Sequence, residues 1–491
     1  IVSCGLTRFC WAINDDALAS GLELLGGTGG IVTLSGTVGG ILAPQNLTIN
    51  AGDVAIQALV TTGTQSITAG NYITVAAGSS AVSLNATGAQ TITAGGTLTV
   101  QGGTGTGLTA QILGAAGQTI DASSIVIVGG SGGDSSFAEI RQTGATGIQQ
   151  IEASSIAING GISGTNNFAR IRNDGTGAQT VTVTGPLTLA GGTGGAPDLG
   201  NFAQIRAVGA QVVEAGNTTL LAGGAGFSNF AGIHSPDQDI TIHGNLVLTG
   251  GSSVAGATSA GAARIGGIGG AVPGPTNLNL EVETDVTMDG GTVAFAGAVI
   301  GSDFQGGQTT DITMLLGGSL TMNAGAVPNS GARIGSPSTN PVGGDIFIEV
   351  GGDITMAGSA APGALGTVIR TIGGEVTLDA AAAIFIGGSV LSGAQSVSAG
   401  GDITVAANGI GSAVLSATGA QSVTAGGVLA LTGGSSGTNS IAQIISFGGE
   451  QTVSAATISL RGGTGGTNNL ALIQGITQFI TAITGDVELR G

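Results

Sequence analysis

The feature that most constrains this chain is a repeated phrase, a glutamine followed by a Ser/Thr–aliphatic pair. Gln65-Ser-Ile, Gln90-Thr-Ile, Gln118-Thr-Ile, Gln179-Thr-Val, Gln395-Ser-Val, Gln421-Ser-Val and Gln451-Thr-Val carry it. Looser forms stand at Gln150, Gln211 and Gln478. From Gln65 to Gln211 the successive spacings are 25, 28, 32, 29 and 32 residues, an imprecise period near 29. Self-similarity at such a period is the signature of a stacked array, in which each repeat buries its apolar side only against its neighbours.

Each repeat holds three short apolar–polar alternations. Gln179-Thr-Val-Thr-Val is one, Pro186-Leu-Thr-Leu-Ala the second, and Asn201-Phe-Ala-Gln-Ile-Arg the third, with Gly191-Gly192 between the last two. Period-two alternation reads as strand and Gly pairs read as turns. Three strands and three turns return the chain one strand spacing further on, about 4.8 Å. The expected fold is therefore all-β: a single parallel β-solenoid, a right-handed β-helix with three short strands per coil of about 29 residues. About 14–16 coils are expected, a rod about 70 Å long at one strand spacing per coil.

Stacking predicts ladders of like residues. Ile92, Ile120, Ile151, Val181 and Val213 are expected to line one inner face. Leu98, Ile125, Ile156, Leu187 and Leu220 are expected to line the second. Phe137, Phe168, Phe202 and Phe230 are read as a core stack at the corner leading into the third. Gln90, Gln118 and Gln179 are read as an amide ladder, and Asn167, Asn201 and Asn229 as turn residues in the left-handed region. Between about residues 251 and 390 the spacings lengthen, and Asp or Glu replaces Gln in Thr310-Asp-Ile, Gly344-Asp-Ile and Gly374-Glu-Val. That region reads as the same solenoid with longer corner loops.

Composition removes several alternatives. Gly supplies 97 of 491 residues without a three-residue period, and Pro only 10, which excludes collagen. Hydrophobic residues at 41% argue against disorder. A net charge of −18, with every one of the ten cations an arginine, argues against nucleic acid as a partner. No apolar run approaches the ~20 residues of a membrane-spanning helix. The chain begins at Ile1, which suggests a processed, exported product. Cys4 and Cys10 could then form a local disulfide or remain free thiols.

Chemistry is sparse, and the reading is of a protein that is no enzyme and carries no cofactor. His234 and His243, near Asp237 and Asp239, are too few for a metal site. Asp121, Glu152 and Glu214 fall at equivalent outward positions and read as a solvated acidic stripe. A polysaccharide lyase would need aromatic sugar platforms, and the chain has one Trp and one Tyr. Arg141, Arg170, Arg172 and Arg206 cluster on the third face, with Glu139 able to pair with Arg170. They leave open a patch for an anionic glycan or a neighbouring filament.

Residues 1–25 are the non-repetitive segment, a cap or a docking hook, and residues 26–491 the rod. The last lines, from Phe479 onward, still follow the repeat with no cap, and early and late coils resemble each other. A head-to-tail contact between such ends does not close and makes fibres. Phe9, Trp11, Leu22, Phe479, Ile480, Val487 and Leu489 are the expected interface.

Ala94-Gly-Gly-Thr-Leu-Thr-Val and Ala399-Gly-Gly-Asp-Ile-Thr-Val resemble the repeats of filamentous-haemagglutinin-like bacterial exoproteins, over most of residues 60–491. The resemblance implies secretion, adhesion and a right-handed β-helix. The expectation is a structural subunit of a secreted extracellular filament, partnered by itself. A monomeric adhesin stalk is the alternative and a polysaccharide lyase or hydrolase the third choice.

Overall fold

The computed structural model describes residues 2–5, 21–40, 43–255, 261–268, 275–302, 309–337, 343–358, 366–408 and 411–491. Every regular element among them is a β-strand, so no helix there is long and apolar enough to cross a membrane. The chain divides into two compact units, Ile1–Pro236 and Asp237–Gly491. This division was not expected from the repeats, which run through both. Each unit is a parallel β-solenoid. The third face contributes seven strands to the first unit and eight to the second among the described residues, matching the expected coil number.

Like residues stack because a parallel ladder of equal coils puts each position on its own counterpart. In the first unit Gln90–Gln101, Gln118–Val128 and Gln149–Asn159 each carry two faces in one bent strand. Ile92, Ile120, Ile151, Val181 and Val213 are in register and fully buried. Each contributes about 1.5–3 kcal/mol by its burial. The second inner column runs Leu98, Ile125, Ile156 and Leu187 and then meets Thr218, not Leu220. Leu220, two residues further on, stacks on Leu189 in the adjoining column.

Coil length is elastic while register is not. Gln65 follows its partner Leu47 after 18 residues, and Leu278 follows Gln238 after 40. The excess lies in the turns. Of the long corners between residues 251 and 390, residues 256–260, 269–274, 303–308, 338–342 and 359–365 lie outside the described set.

Register corrects the sequence reading in three places. Gln149, not Gln150, joins the ladder, since Gln150 pairs with Thr119 and faces outward. In the second unit the Gln column is replaced by Leu278, Ile312, Ile346 and Val376, not by carboxylates. Asp311, Asp345 and Glu375 stand one residue earlier and are exposed. The Asp311 and Asp345 carboxylates each accept the backbone N–H of the next acid in the column, at 3.0 and 2.9 Å. Finally, the solenoid begins before residue 26. Leu22–Leu34 is already a coil strand, with Leu22 and Leu24 in register with Leu47 and Ile49. The short strand Val2–Gly5 pairs antiparallel with Ile31–Leu34.

Candidate functional site

Two regions carry side chains that the repeat alone does not require. The first is the outer surface of the third face in the first unit. Its strands are Ala110–Gly114, Ala138–Gln142, Ala169–Asn173, Ala203–Ala207 and Ala231–His234. The first two inward positions of each strand are Ala and Ile, all fully buried, and Gln142 and Asn173 are buried at the third. The alternating positions point outward and form three columns.

The first column is aromatic. Phe137, Phe168, Phe202 and Phe230 stack with centroids 4.4, 4.9 and 4.5 Å apart and planes within 10°. Each ring lies in sequence between two buried residues, Ser136 or an Asn before it and an Ala after it, so the rings are outward, not core as the sequence suggested. Phe168 is buried and the other three are half-buried. The Arg170 guanidinium sits 4.2 Å over the Phe168 ring, a cation–π contact.

The middle column is polar and yet buried, because the rings cover one flank and the arginines the other. Gln111 donates to Glu139 Oε1 at 2.5 Å, and Arg170 donates to Glu139 Oε2 at 2.8 Å through Nε. Gln204 Nε2 donates to His234 Nδ1 at 2.8 Å, which puts the ring proton on Nε2. The fifth position is Gly232, where a Cβ would collide with the His234 ring, so the imidazole folds into the space glycine leaves. Burial pushes the Arg170 guanidinium below its usual range; Glu139 opposes this, and Arg172 and Arg141 add to it.

The outer column runs Leu113, Arg141, Arg172, Arg206 and His234. Arg141 and Arg172 share the Asp174 carboxylate, Arg141 at 2.6 Å through Nε. The carboxylate offsets the repulsion of guanidiniums one strand spacing apart. The expected cation patch is therefore largely an internal ion-pair network. Sequence reading found Glu139–Arg170 and missed Asp174, Gln204 and His234. Aligning Phe230-Ala-Gly-Ile-His with Phe202-Ala-Gln-Ile-Arg would have placed His234 above Arg206.

At the corner before this face, Asn167, Asn201 and Asn229 are buried and hold the turn through their side chains. Each Oδ1 accepts the backbone N–H of Ser136, Asn167 and Asn201 respectively, at 2.7–2.8 Å. The left-handed residues are Asn166 and Ser228, which precede Asn167 and Asn229, at φ of 57° and 54°, and Asp198, three residues before Asn201, at 60°.

The amide ladder is unbroken from Gln65 to Gln211 in the first unit and from Gln395 to Gln478 in the second. Gln90, Gln118, Gln149, Gln179 and Gln211 each donate from Nε2 to the Oε1 of the preceding coil's glutamine at 2.6–2.7 Å, starting from Gln65. Gln421, Gln451 and Gln478 repeat this from Gln395. Asp121 and Glu152 are register neighbours on the outer first face, and Thr182 separates them from Glu214. His243 Nδ1 meets Glu283 Oε1 at 2.8 Å on the surface. Among the described residues no group of three or more His, Cys, Asp or Glu side chains could hold a metal ion.

The second region is the last coil. Ile480, Val487 and Leu489 occupy inner columns, in register with Val453, Ile458 and Leu460. Val453 and Ile458 are 0% exposed, whereas Ile480, Val487 and Leu489 are 42%, 49% and 72% exposed. Phe479 stands elsewhere than expected: it pairs with Thr452 and points outward. Leu22, at the first coil, is half-buried. Phe9, Trp11 and Cys10 lie outside the described residues, and Cys4 is placed by its backbone pairing with Val32. Searched against protein-family models, curated proteins and solved structures, the chain matches none.

Proposed function

We propose that this chain is the structural subunit of an extracellular filament, in which the last coil of one copy pairs strand to strand with the first coil of the next. One observation carries the reading. Ile480, Val487 and Leu489 hold core positions of the repeat, in register with Val453, Ile458 and Leu460, and are exposed. An edge of this kind is a template for another strand. A second copy offers the matching surface, since its Leu22 and Leu24 belong to the same columns as Gln478 and Ile480.

In the joint the strand Val2–Gly5 gives way to Val487–Arg490. Val2–Gly5 covers Ile31–Leu34, whose inward Val32 and Leu34 stand in the repeat where Val487 and Leu489 stand. One four-residue pairing replaces another, so the exchange is close to balanced and the burial of Ile480, Val487 and Leu489 drives it.

A surface-binding rod is a second reading, favoured by the third-face strip. There Arg141, Arg170 and Arg172 outnumber Glu139 and Asp174, on a chain of net charge −18. An anionic glycan is the partner this chemistry fits.

Electron microscopy of the purified chain over a concentration series tests the first reading. Uniform filaments one solenoid wide are expected. Dispersed particles at every concentration would sink it, and saturable binding of an anionic polysaccharide would then favour the second.

A further inference from the structure

Exposure at the last coil has two distinct origins. Ile480, Val487 and Leu489 belong to inner columns and are exposed at the edge of the stack. Phe479 and Ile483 are bare for another reason. Phe479 alternates with the inward Gln478 and Ile480, so it projects from the outer face, 54% exposed, where the preceding coils carry Thr452 and Ser422. Ile483 follows the inward Ala482 and is 65% exposed, at the position of Ala456 one coil earlier. A coil stacked on the edge would leave both side chains in water unless it brought an apolar group to meet them.

The first coil carries such a group. Leu25 lies in register with Asn50, and through it with Thr68 and Thr93, a column of polar outward residues. Leu25 is 69% exposed. In the repeat this column is the one Thr481 occupies in the last coil, two residues after Phe479 and two before Ile483. If the ladder continues across a joint, Thr481 of one copy pairs with Leu25 of the next. Diagonal neighbours on one face of a sheet lie ~7–8 Å apart, within reach of aromatic and long aliphatic side chains. Leu25 then falls between Phe479 and Ile483.

We propose that Leu25 of one copy seats between Phe479 and Ile483 of the preceding copy, an apolar clasp on the outer face that fixes the register of the joint. The occupant is a second copy of this chain, and the inference rests on the filament reading. The clasp supplies what backbone pairing lacks. A ladder alone tolerates a slip by two residues, which preserves the inward and outward sets. A slip of that size moves Leu25 out from between its two partners and leaves three apolar side chains in water.

The test compares critical concentrations for assembly, measured by sedimentation. Leu25→Asn and Phe479→Thr place at each site the residue that its own column carries one coil away. Both positions face outward, so the far-ultraviolet circular dichroism and the melting of the unassembled chain serve as controls and should match wild type. Each substitution should raise the critical concentration about tenfold, and the double variant should cost less than the product of the two, since both remove one contact. A second measurement uses Leu25→Cys together with Ile483→Cys in a Cys4→Ser, Cys10→Ser background. A short bismaleimide should give a ladder of multimers from the pair and none from either cysteine alone. Wild-type critical concentrations in both single variants, or no ladder from the cysteine pair in filaments, would overturn the clasp and leave the filament reading intact. If the wild-type chain forms no polymer, the filament reading fails and the clasp falls with it.

Discussion

Replacing one glutamine of the amide ladder by an aliphatic residue of similar volume should be costly, although the second unit makes that replacement four times over. In Gln118→Leu the fully buried side chain loses its bond to Gln90 Oε1 at 2.7 Å. Gln149 Nε2 loses its acceptor at 2.6 Å. Two buried polar atoms are left without these partners, at about 1–3 kcal/mol each. Burying leucine in place of an amide offsets part of this, roughly 1–2 kcal/mol. The net loss is about 1–4 kcal/mol. The reverse swap, Ile346→Gln, puts an amide between Ile312 and Val376, where no amide lies above or below. It forfeits the isoleucine burial and buries an unanswered amide, about 3–5 kcal/mol together. Both swaps therefore destabilise, although they run in opposite chemical directions. Coils of a solenoid unfold with their neighbours rather than all at once. Hydrogen exchange at the Ile120 and Ile151 amides, and at Ile312 and Ile348, is thus the suitable assay beside urea unfolding. A change under ~0.5 kcal/mol in either variant would refute the argument that the column is held by like-with-like neighbours.

Met322, fully buried between Met288 and Met356 on an inner face, should cost about 2–5 kcal/mol as Met322→Ala, read by urea unfolding. Arg170→Met should cost about 3–5 kcal/mol, because it leaves the buried Glu139 carboxylate without its guanidinium. Adding Glu139→Gln should restore most of the loss, and the melting temperatures of the two variants decide the point. Arg170 titrates below its unfolded range, so its burial penalty is present at neutral pH and is relieved only in strong alkali. The double variant Arg170→Met, Glu139→Gln, which removes the carboxylate together with the arginine, should therefore keep the wild-type pH dependence of melting between pH 5 and 9. Gly226→Ala forces a side chain at φ of 126° onto the Gly194 carbonyl and should cost at least ~1–3 kcal/mol by the same unfolding assay.

The repeat was legible in the sequence because stacking imposes it. Gln65, Gln90, Gln118 and Gln179 keep one residue type at one position, since each amide needs another amide above and below. The Val and Ile two residues on keep theirs because that side of the strand is buried in every coil. What spacing could not decide was register and facing. Strand side chains alternate with period two, so a reading displaced by one residue exchanges inside for outside. Gln149 and Gln150, or Asp311 and Ile312, are equally good counts along the chain, and only the neighbouring strands choose between them.

The same limit governs the candidate sites. Phe137, Phe168, Phe202 and Phe230 announced a stack by their recurrence, but their place on the outer face follows from the buried alanines beside them. Asp174 joins its near neighbour Arg172 to Arg141, 33 residues back, because the turn of one coil lies over the strand of the last. By itself the sequence determined that the chain stacks in coils and which residues recur. Only the tertiary structure decided which of them face water, which charges are already spent on each other, and which outward side chains at the first and last coils remain uncovered. Those outcomes depend on turns of 18- to 40-residue coils closing onto one fixed strand spacing, and the spacing is a property of the assembled sheet.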